Sequence, residues 1–272
     1  MYRLRKFSGR VGQIGKPLPD DYKTFANNRV TFRQGATSMI AGAPGSFKSV
    51  MALNMAAFWA NQGYTGLYFS ADSDEMTVSR RISGILSGDP IERVEQAMIR
   101  GDREQYISRL ASMDDVQFEY EQLDMEGITL RLRAFEAIYG AYPDVIWIDN
   151  LIDFVDSPDD WGGMLQMIKD LDALSREVKA HICILHHAKL RGGQDTRKKP
   201  DEREANRPPA DWEIQGRVTQ IPRLALTVKE DGLTLKVACV KNTNGPQHRG
   251  ADVWMDFRIQ QSMRMTEETY RR

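Results

Sequence analysis

The 272-residue sequence is poor in cysteine and has no long hydrophobic run. Its two cysteines, Cys183 and Cys239, lie inside apolar stretches and are predicted to be buried, reduced thiols. Their spacing fits neither a disulfide framework nor a metal site. No run of about 18 apolar residues exists, which excludes a membrane-spanning helix. The first residues also lack the apolar stretch of a signal peptide, so the expected location is the cytoplasm.

The sequence also lacks an excess of charge of either sign. Its 37 Lys and Arg residues oppose 38 Asp and Glu residues, which gives a net charge of −1. An overall basic field, which would favour nucleic-acid binding by the whole surface, is therefore absent. Any such binding must use local patches.

The apolar pattern predicts an α/β fold with one large domain or two small ones. Short buried runs alternate with helical stretches, which predicts a mostly parallel sheet covered on both faces. The last third predicts an antiparallel hairpin whose turn is Asp231-Gly232, followed by a strand at 251–257. The expected divisions are an N-terminal arm or linker at 1–35, a main domain at 36–260 with a mobile loop at 188–210, and a C-terminal tail at 261–272.

The individual elements follow from the same pattern. Strands are expected at 37–41, 66–70, 116–120, 143–149 and 181–187. Helices are expected at 50–59, within 76–112, at 128–139 and at 161–179. The helix at 128–139 should bury one apolar face, formed by Leu130, Leu132, Phe135 and Ile138.

Residues 42–49 match the phosphate-binding pattern Gly-x-x-x-x-Gly-Lys-Ser/Thr at every position except Phe47. The predicted strand before this loop and helix after it form the context that the motif requires, because the helix N-terminus attracts an anion. The motif predicts ATP and Mg²⁺ as cofactors, with Lys48 at the terminal phosphates and Ser49 as a magnesium ligand. The predicted nucleotide-binding residues are Gly42, Ala43, Pro44, Gly45, Ser46, Phe47, Lys48, Ser49 and Val50.

Phe47 replaces the second glycine of the motif. The position before the lysine is expected to have helical dihedrals, which cost a non-glycine residue nothing. Gly45, in the middle of the loop, is the residue expected to need a positive φ.

Polar residues follow three of the predicted strands, at the edge of the sheet where α/β proteins bind ligands. Asp149 follows an apolar strand and is predicted to position magnesium with Ser49, although an Asp at a strand end can simply start a turn. Asp72 is the candidate that orients and deprotonates the attacking water, with Asp74 and Glu75 as alternatives. A plain helix cap by Ser73 or Asp74 is also open.

Two adjacent histidines, His186 and His187, end the fourth of these strands. A histidine there can hydrogen-bond a terminal phosphate, or the pair can be a surface feature without a role. A shared metal site is disfavoured because adjacent strand residues point to opposite faces.

These residues, in this order, resemble the RecA-like ATPase core of replicative helicases of the DnaB and RepA type, over about residues 30–260. The segment 68–72, Tyr-Phe-Ser-Ala-Asp, looks like the family's Phe-Ser-Leu-Glu. The segment 148–151, Ile-Asp-Asn-Leu, looks like its Ile-Asp-Tyr-Leu. The pair at 186–187 matches the His-His of RepA-like proteins, and 241–246 resembles Lys-x-Arg-Asn-Gly-Pro.

The resemblance implies a RecA-like doubly wound sheet and a homo-oligomeric ring, a hexamer or near it. It places Asp72 in the position of the catalytic Glu, His187 on the sensor strand, and Lys241 next to the neighbouring subunit's nucleotide. Thr243 stands where the family has its arginine finger, so His248 or Arg249 is expected to replace it. Gly-Ser-Phe-Lys-Ser is similar to phage RepA-like proteins, which suggests a stand-alone phage or plasmid ATPase core.

The loop between the fourth strand and the hairpin is rich in Gly, Pro and charge. In the family the corresponding loop contacts the backbone of single-stranded DNA without reading its sequence. The alternative is a solvated loop without a ligand. The predicted DNA-binding residues are Lys189, Arg191, Arg197, Lys198 and Lys199.

The leading hypothesis is therefore a nucleic-acid-dependent ATPase, a helicase or translocase. A second is a metal-dependent nuclease or recombination-type protein on the same core, and a third is an ATP-gated DNA-binding or loader module. The nuclease hypothesis depends on the histidine pair and on a surplus of acids, Asp149, Asp153, Asp156, Asp159 and Asp160.

Overall fold

The computed structural model describes residues 15–20, 22–102, 104–155, 161–189 and 206–267. Within these ranges nine strands form one mixed sheet, in the order β3-β2-β4-β5-β1-β6-β7-β8-β9. The first six strands in this order run parallel, and β7 to β9 are antiparallel. The strands are β1 Thr37–Gly42, β2 Gly66–Ser70, β3 Val116–Glu119, β4 Val145–Asp149, β5 His181–His187, β6 Leu224–Asp231, β7 Thr234–Asn242, β8 Met255–Ile259 and β9 Met265–Glu267.

Helices cover both faces of the sheet, and each face has its own hydrophobic core. The central strands β1, β2 and β4 are buried along their whole length, as expected for parallel strands between two helical layers. The predicted doubly wound, mostly parallel sheet with C-terminal antiparallel strands is confirmed. The helices are α1 Lys23–Asn27, α2 Lys48–Asn61, α3 Glu75–Ser87, α4 Ile91–Arg100, α5 Glu104–Leu110, α6 Met125–Tyr139 and α7 Trp161–Val178. None of the described helices is both long and apolar enough to span a membrane.

The strand register brings the chemically important strand ends together. At the end of β1, Gly42 lies opposite His187 of β5 on one side and Val228 of β6 on the other. At the end of β2, Ser70 lies opposite Asp149 of β4. The carboxyl ends of four neighbouring strands therefore meet at one edge of the sheet, where an open α/β sheet places its ligands.

The C-terminal hairpin differs in detail from its prediction. Asp231 pairs with Thr234, so the two-residue turn is Gly232-Leu233 and not Asp231-Gly232. The reason is that Gly232, with φ of 61°, supplies the positive φ at the first loop position. The strand predicted at 251–257 begins only at Met255, because Ala251 has a positive φ of 53° that interrupts an extended backbone.

The segment 15–35, predicted to belong to an arm or linker, packs on the sheet instead. Its apolar side chains are buried in the same core as β8, and the rings of Tyr22 and Phe25 contact Phe257. The segment contains only one short helix, so its apolar residues follow no period that predicts structure. Likewise, β9 lies inside the predicted tail and pairs with β8. Residues 1–14 and 268–272 lie outside the described residues.

Helix α6 buries a different apolar stripe from the one predicted. Leu130 and Ile138 are 61% and 73% exposed, whereas Ile128, Leu132 and Phe135 are buried. The buried residues follow the i, i+4, i+7 spacing of one helical face, from which Leu130 and Ile138 deviate.

Candidate active site

A cleft of about 390 Å³ opens at the carboxyl ends of β1, β2, β4 and β5. It contains most of the predicted site residues, although they come from distant parts of the sequence. Its lining residues are Pro44, Gly45, Ser46, Phe47, Lys48, Ser49, Val50, Asp72, Ser73, Arg81, Asp149, Asn150, His187 and Met263.

The loop from β1 to α2 forms one wall of the cleft. Gly42 must be a glycine, because a Cβ there would lie 2.4 Å from Ser46 Oγ and 2.7 Å from the Val228 carbonyl oxygen. Gly45 has φ of 77°, as predicted. The loop thereby turns sharply out of the sheet and directs the start of α2 at the cleft, the arrangement that binds anions.

The prediction of helical dihedrals at Phe47 is wrong. Phe47 precedes the first residue of α2 and has φ of 62° and ψ of 21°, in the left-handed region. This conformation costs an L-residue about 1–2 kcal/mol, which explains why the motif favours glycine there. The Phe47 ring is partly buried against the core beneath α2, and this packing offsets the backbone cost.

Lys48 is the cation of this loop. Its side chain is buried, and Nζ donates a hydrogen bond to the Ala43 carbonyl oxygen at 2.9 Å, which holds the ammonium against the loop. Burial lowers the pKa of Lys48, while the carboxylates of Asp149 and Asp72 act in the opposite direction. The ammonium is therefore already surrounded by acceptors in this cleft.

Asp149 and Ser49 are in direct contact, as the magnesium prediction requires. Ser49 Oγ donates to Asp149 Oδ1 at 3.1 Å, and the Tyr68 hydroxyl donates to Asp149 Oδ2 at 2.7 Å. Burial raises the pKa of Asp149 to about 6, although both hydrogen bonds and Lys48 favour the carboxylate. A hydroxyl and a carboxylate oxygen are the hard ligands that Mg²⁺ prefers, so the pair fits this ion.

The acids after β2 have separate roles. Asp74 is the N-cap of α3, because its Oδ1 accepts a hydrogen bond from the Thr77 N–H at 2.7 Å. Hydrogen bonds from Thr77 lower the pKa of Asp74. Asp72 is free of this capping role and lines the cleft. Of the acids considered for water activation, only Asp72 combines a place in the cleft with such freedom.

The two histidines point to opposite faces, as predicted. Asn150 Nδ2 donates to His187 Nε2 at 2.8 Å, at the cleft. Burial and the nearby Lys48 lower the pKa of His187, which favours the neutral ring. His186 is buried on the other face, where its Nε2 lies 3.1 Å from the Gln215 carbonyl oxygen. Burial lowers the pKa of His186 to about 4.

Three buried polar atoms at the cleft have no hydrogen-bond partner among the described residues. They are Ser46 Oγ, Asn150 Oδ1 and His187 Nδ1. Buried polar groups are nearly always paired in folded proteins, so these atoms indicate that a polar ligand belongs here. A phosphate group, with several strong acceptor oxygens, fits the Ser46 hydroxyl and the His187 N–H.

Sequence reasoning missed several residues at the cleft. Arg81 of α3 lines it, with Nη1 3.4 Å from Ser73 Oγ, and Met263 reaches it from the turn between β8 and β9. Tyr68 and Asn150 hold Asp149 and His187, respectively. Only Asn150 and Tyr68 had a signal, since both lie next to predicted site residues in the sequence or the sheet. The other two are brought in by tertiary packing.

The residues predicted to act on a neighbouring subunit do not line this cleft. Lys241 lies in β7 and donates to the carbonyl oxygens of Thr219 and Gln220, both at 2.7 Å. Burial lowers the pKa of Lys241. Arg249 is paired with Asp211, with Nη2 2.6 Å from Oδ2.

The predicted DNA-binding residues are only partly described. The Lys189 N–H donates to the Glu213 carbonyl oxygen at 2.8 Å, at the end of β5. Arg191, Arg197, Lys198 and Lys199 lie outside the described residues, as do Asp156, Asp159 and Asp160. Within the described ranges no three His, Cys, Asp or Glu side chains converge as a metal site.

The sheet order, the loop before α2 and the Ser49–Asp149 pair define a RecA-like P-loop core. Residues 29–193 match the family described as AAA domain, and the chain belongs to this family. Two phage proteins are similar to it along most of its length. The Gene 65 protein of Mycobacterium phage L5 is 28% identical over 255 residues, 90% of this chain and 90% of that protein. The Gene 65 protein of Mycobacterium phage D29 is 27% identical over 217 residues, 76% of this chain and 88% of that protein.

Two solved structures share the fold. One is a DnaB-like replicative helicase, described with its interactions with primase, at a TM-score of 0.76 and 11% identity. The alignment covers 98% of this chain and 65% of that helicase, so this chain matches less than two thirds of its length. The other is a separate ATPase domain, at a TM-score of 0.73 and 13% identity, covering 98% of this chain and 96% of that domain. The fold is thus that of DnaB-type ATPase domains.

Proposed function

We propose that this protein is a nucleic-acid-dependent ATPase of the DnaB type, which binds ATP with Mg²⁺ at residues 42–50 and acts as a ring on single-stranded DNA. The observation that carries the proposal is the contact of Ser49 with Asp149 beside Lys48. This arrangement joins a magnesium ligand pair to a phosphate cation at a helix N-terminus. The unpartnered polar atoms of the same cleft support a phosphate ligand.

The residues divide the chemistry among them. Backbone N–H groups of the loop and the Lys48 ammonium hold the β- and γ-phosphates. Mg²⁺, held by Ser49 and Asp149, neutralises charge on the phosphate oxygens. Asp72 accepts a proton from the attacking water. His187 accepts from Asn150 through Nε2, so its Nδ1 carries the proton that it donates to the γ-phosphate.

The ring part of the proposal assigns Lys241 to the neighbouring subunit's nucleotide. Within one chain its ammonium is held by two backbone carbonyl oxygens, which are neutral acceptors. A γ-phosphate carries full negative charge and forms stronger, charge-assisted hydrogen bonds. We expect the ammonium to exchange the two carbonyls for the phosphate when subunits meet. Arg249, exposed but paired with Asp211, is the second candidate for this contact.

The DNA part of the proposal assigns the loop 188–210 to the strand. Lys189 and Arg207 begin and end its described flanks, and Glu213 fixes both flanks to the sheet. Several more cations lie between these flanks in the sequence, among them Arg191, Arg197, Lys198 and Lys199. Contacts of lysine and arginine with the phosphate backbone are independent of sequence and sensitive to salt.

The test is ATP hydrolysis by the purified chain, with and without single-stranded DNA. We expect hydrolysis that DNA stimulates and that Lys48→Ala abolishes, because the phosphates then lose the cation of the loop. Lys169→Ala, which removes an exposed lysine of α7, is the matched control and should hydrolyse ATP at the unaltered rate. Hydrolysis by Lys48→Ala at the unaltered rate would refute the site.

The same preparations distinguish the alternatives. ATP-dependent displacement of a strand from a forked duplex supports a helicase, whereas ATP-dependent DNA binding without displacement supports a loader. Cleavage of DNA in Mg²⁺ or Mn²⁺ without ATP would support the nuclease, which no observation within the described residues favours. A chain that stays monomeric with ATP and DNA at micromolar concentration would refute the ring.

A further inference from the structure

Two bulky apolar residues at the cleft have an unusual backbone. Among the described residues five non-glycines have a positive φ, and two of them, Phe47 and Met263, line the same cleft. Both have φ of 62°, although they are far apart in the sequence. A left-handed backbone at a bulky residue costs on the order of 1 kcal/mol or more, and such residues cluster at ligand sites.

Met263 is held firmly in this position. It lies in the turn between β8 and β9, and Asn54 of α2 fixes that turn from one side. Asn54 Nδ2 donates to the Met263 carbonyl oxygen at 2.9 Å, and its Oδ1 accepts from the Met265 N–H at 2.9 Å. From the other side, the Arg264 guanidinium donates to the carbonyl oxygens of Ile85 and Leu86 at the end of α3. The turn is thus attached to both helices that border the cleft.

The cleft has a polar end and an apolar end. Lys48, Ser49 and Asp149 mark the polar end, where the β- and γ-phosphates belong. Phe47 and Met263 are partly buried at the edge of the core beneath α2, and Val50 follows Ser49 into the helix. A nucleoside triphosphate that places its terminal phosphates at the polar end must place its base away from them, against apolar side chains.

We infer that Phe47 and Met263 hold the nucleobase by its faces and that the site accepts purine and pyrimidine nucleoside triphosphates alike. Aromatic and thioether groups contact the face of any base. Neither these two side chains nor Val50 has the hydrogen-bonding groups needed to read the base edge. The inference rests on the proposed nucleotide binding at residues 42–50 and specifies the substrate class of that site.

The test is displacement of a fluorescent ATP analogue by ATP, GTP, CTP, UTP and inorganic tripolyphosphate. We expect the four nucleotides to bind within about fivefold of one another. Met263→Ala should weaken all four by about fivefold, the effect expected when part of an apolar side chain is removed from the base face. Its affinity for tripolyphosphate, which has no base, should not change. Met263→Leu should restore nucleotide affinity.

Two further variants make the result specific. Phe47→Gly suits the left-handed backbone and should weaken the four nucleotides by a similar factor, again without effect on tripolyphosphate. Met76→Ala removes an exposed methionine of α3 outside the cleft and should leave every affinity unchanged.

Two results would overturn the inference alone. One is a preference of more than about thirtyfold for one base, which requires hydrogen bonds to its edge. The other is equal weakening of nucleotides and tripolyphosphate by Met263→Ala. If neither tripolyphosphate nor any nucleotide binds, the proposed function fails, and the inference fails with it.

Discussion

Asp149→Asn offers the sharpest test of the site, because it separates stability from function. Asp149 is buried, and burial raises its pKa from 3.8 to about 6. The folded protein therefore binds a proton at this carboxyl more tightly than the unfolded chain does. Ionisation of Asp149 costs folding free energy, and the cost appears as the pH rises from about 4 through 6. At neutral pH the free protein carries a destabilising charge whose role is ligand binding.

The magnitude follows from the pKa difference. At about 1.4 kcal/mol per pH unit, the full cost is about 3 kcal/mol, and about 1.5 kcal/mol of it appears between pH 5 and pH 8. The amide in the variant cannot ionise, but its nitrogen cannot accept one of the hydrogen bonds from Tyr68 and Ser49, which costs about 1 kcal/mol. We therefore expect Asp149→Asn to stabilise the nucleotide-free protein at pH 8 by about 1–2 kcal/mol.

The assay is denaturant unfolding of both proteins at several pH values between 5 and 8, without nucleotide. The stability gained by Asp149→Asn should grow by about 1.5 kcal/mol across this range. ATP with Mg²⁺ should stabilise the original protein and stabilise the variant far less, since the ion loses its carboxylate.

Ser49→Ala is the control for this measurement. It removes a hydrogen bond to Asp149 but keeps the buried carboxyl, so its stability should still fall as the pH rises. If the stability difference between Asp149→Asn and the original protein does not change with pH, the carboxyl does not have a raised pKa. Equal stabilisation of both proteins by ATP with Mg²⁺ would refute its role at the ion.

Two predictions concern the ring and the DNA. If Lys241 acts on the neighbouring nucleotide, then mixing inactive Lys48→Ala with inactive Lys241→Ala subunits should restore hydrolysis at about a quarter of the interfaces of a cyclic ring. No recovery after subunit exchange would contradict the shared site. Changing Arg197, Lys198 and Lys199 together to Ala should flatten the salt dependence of single-strand binding by about 0.7 for each phosphate that the loop no longer neutralises, with ATP binding retained. An unaltered salt dependence would show that the DNA binds elsewhere.

The sequence predicts the parallel part of the fold well because the signal there is local. Strands buried on both faces are continuous apolar runs, and a polar residue directly after such a run, as at Asp149, must lie at the ligand edge of the sheet. The loop before α2 is recognisable from eight consecutive residues for the same reason. The apolar pattern also predicts β5 with its observed bounds, His181–His187.

The remainder depends on contacts that no local pattern contains. The left-handed backbone of Phe47 is set by its packing and by the turn from Gly45, and not by its own preference. Arg81 and Met263 enter the cleft only because α3 and the β8–β9 turn pack beside α2. The segment 15–35 lacks periodicity, and its burial depends on β8, which lies more than 200 residues further along the chain.

The contacts of the segment 211–220 connect the separate parts of the proposed cycle. Near its start, the Glu213 carbonyl oxygen accepts from the Lys189 N–H at the end of β5, and the Gln215 carbonyl oxygen lies next to His186. At its end, the carbonyl oxygens of Thr219 and Gln220 hold the Lys241 ammonium. His187, one residue from His186 on the same strand, faces the proposed γ-phosphate.

A shift of β5 that accompanies phosphate binding would therefore act on the backbone that holds Lys241. The same strand leads directly into the proposed DNA loop. Since Lys241 has to leave the two carbonyls before it can reach a neighbouring nucleotide, a single chain holds its own cation back. In this arrangement hydrolysis requires the neighbouring subunit, which agrees with a chain whose arginine-finger position is occupied by Thr243.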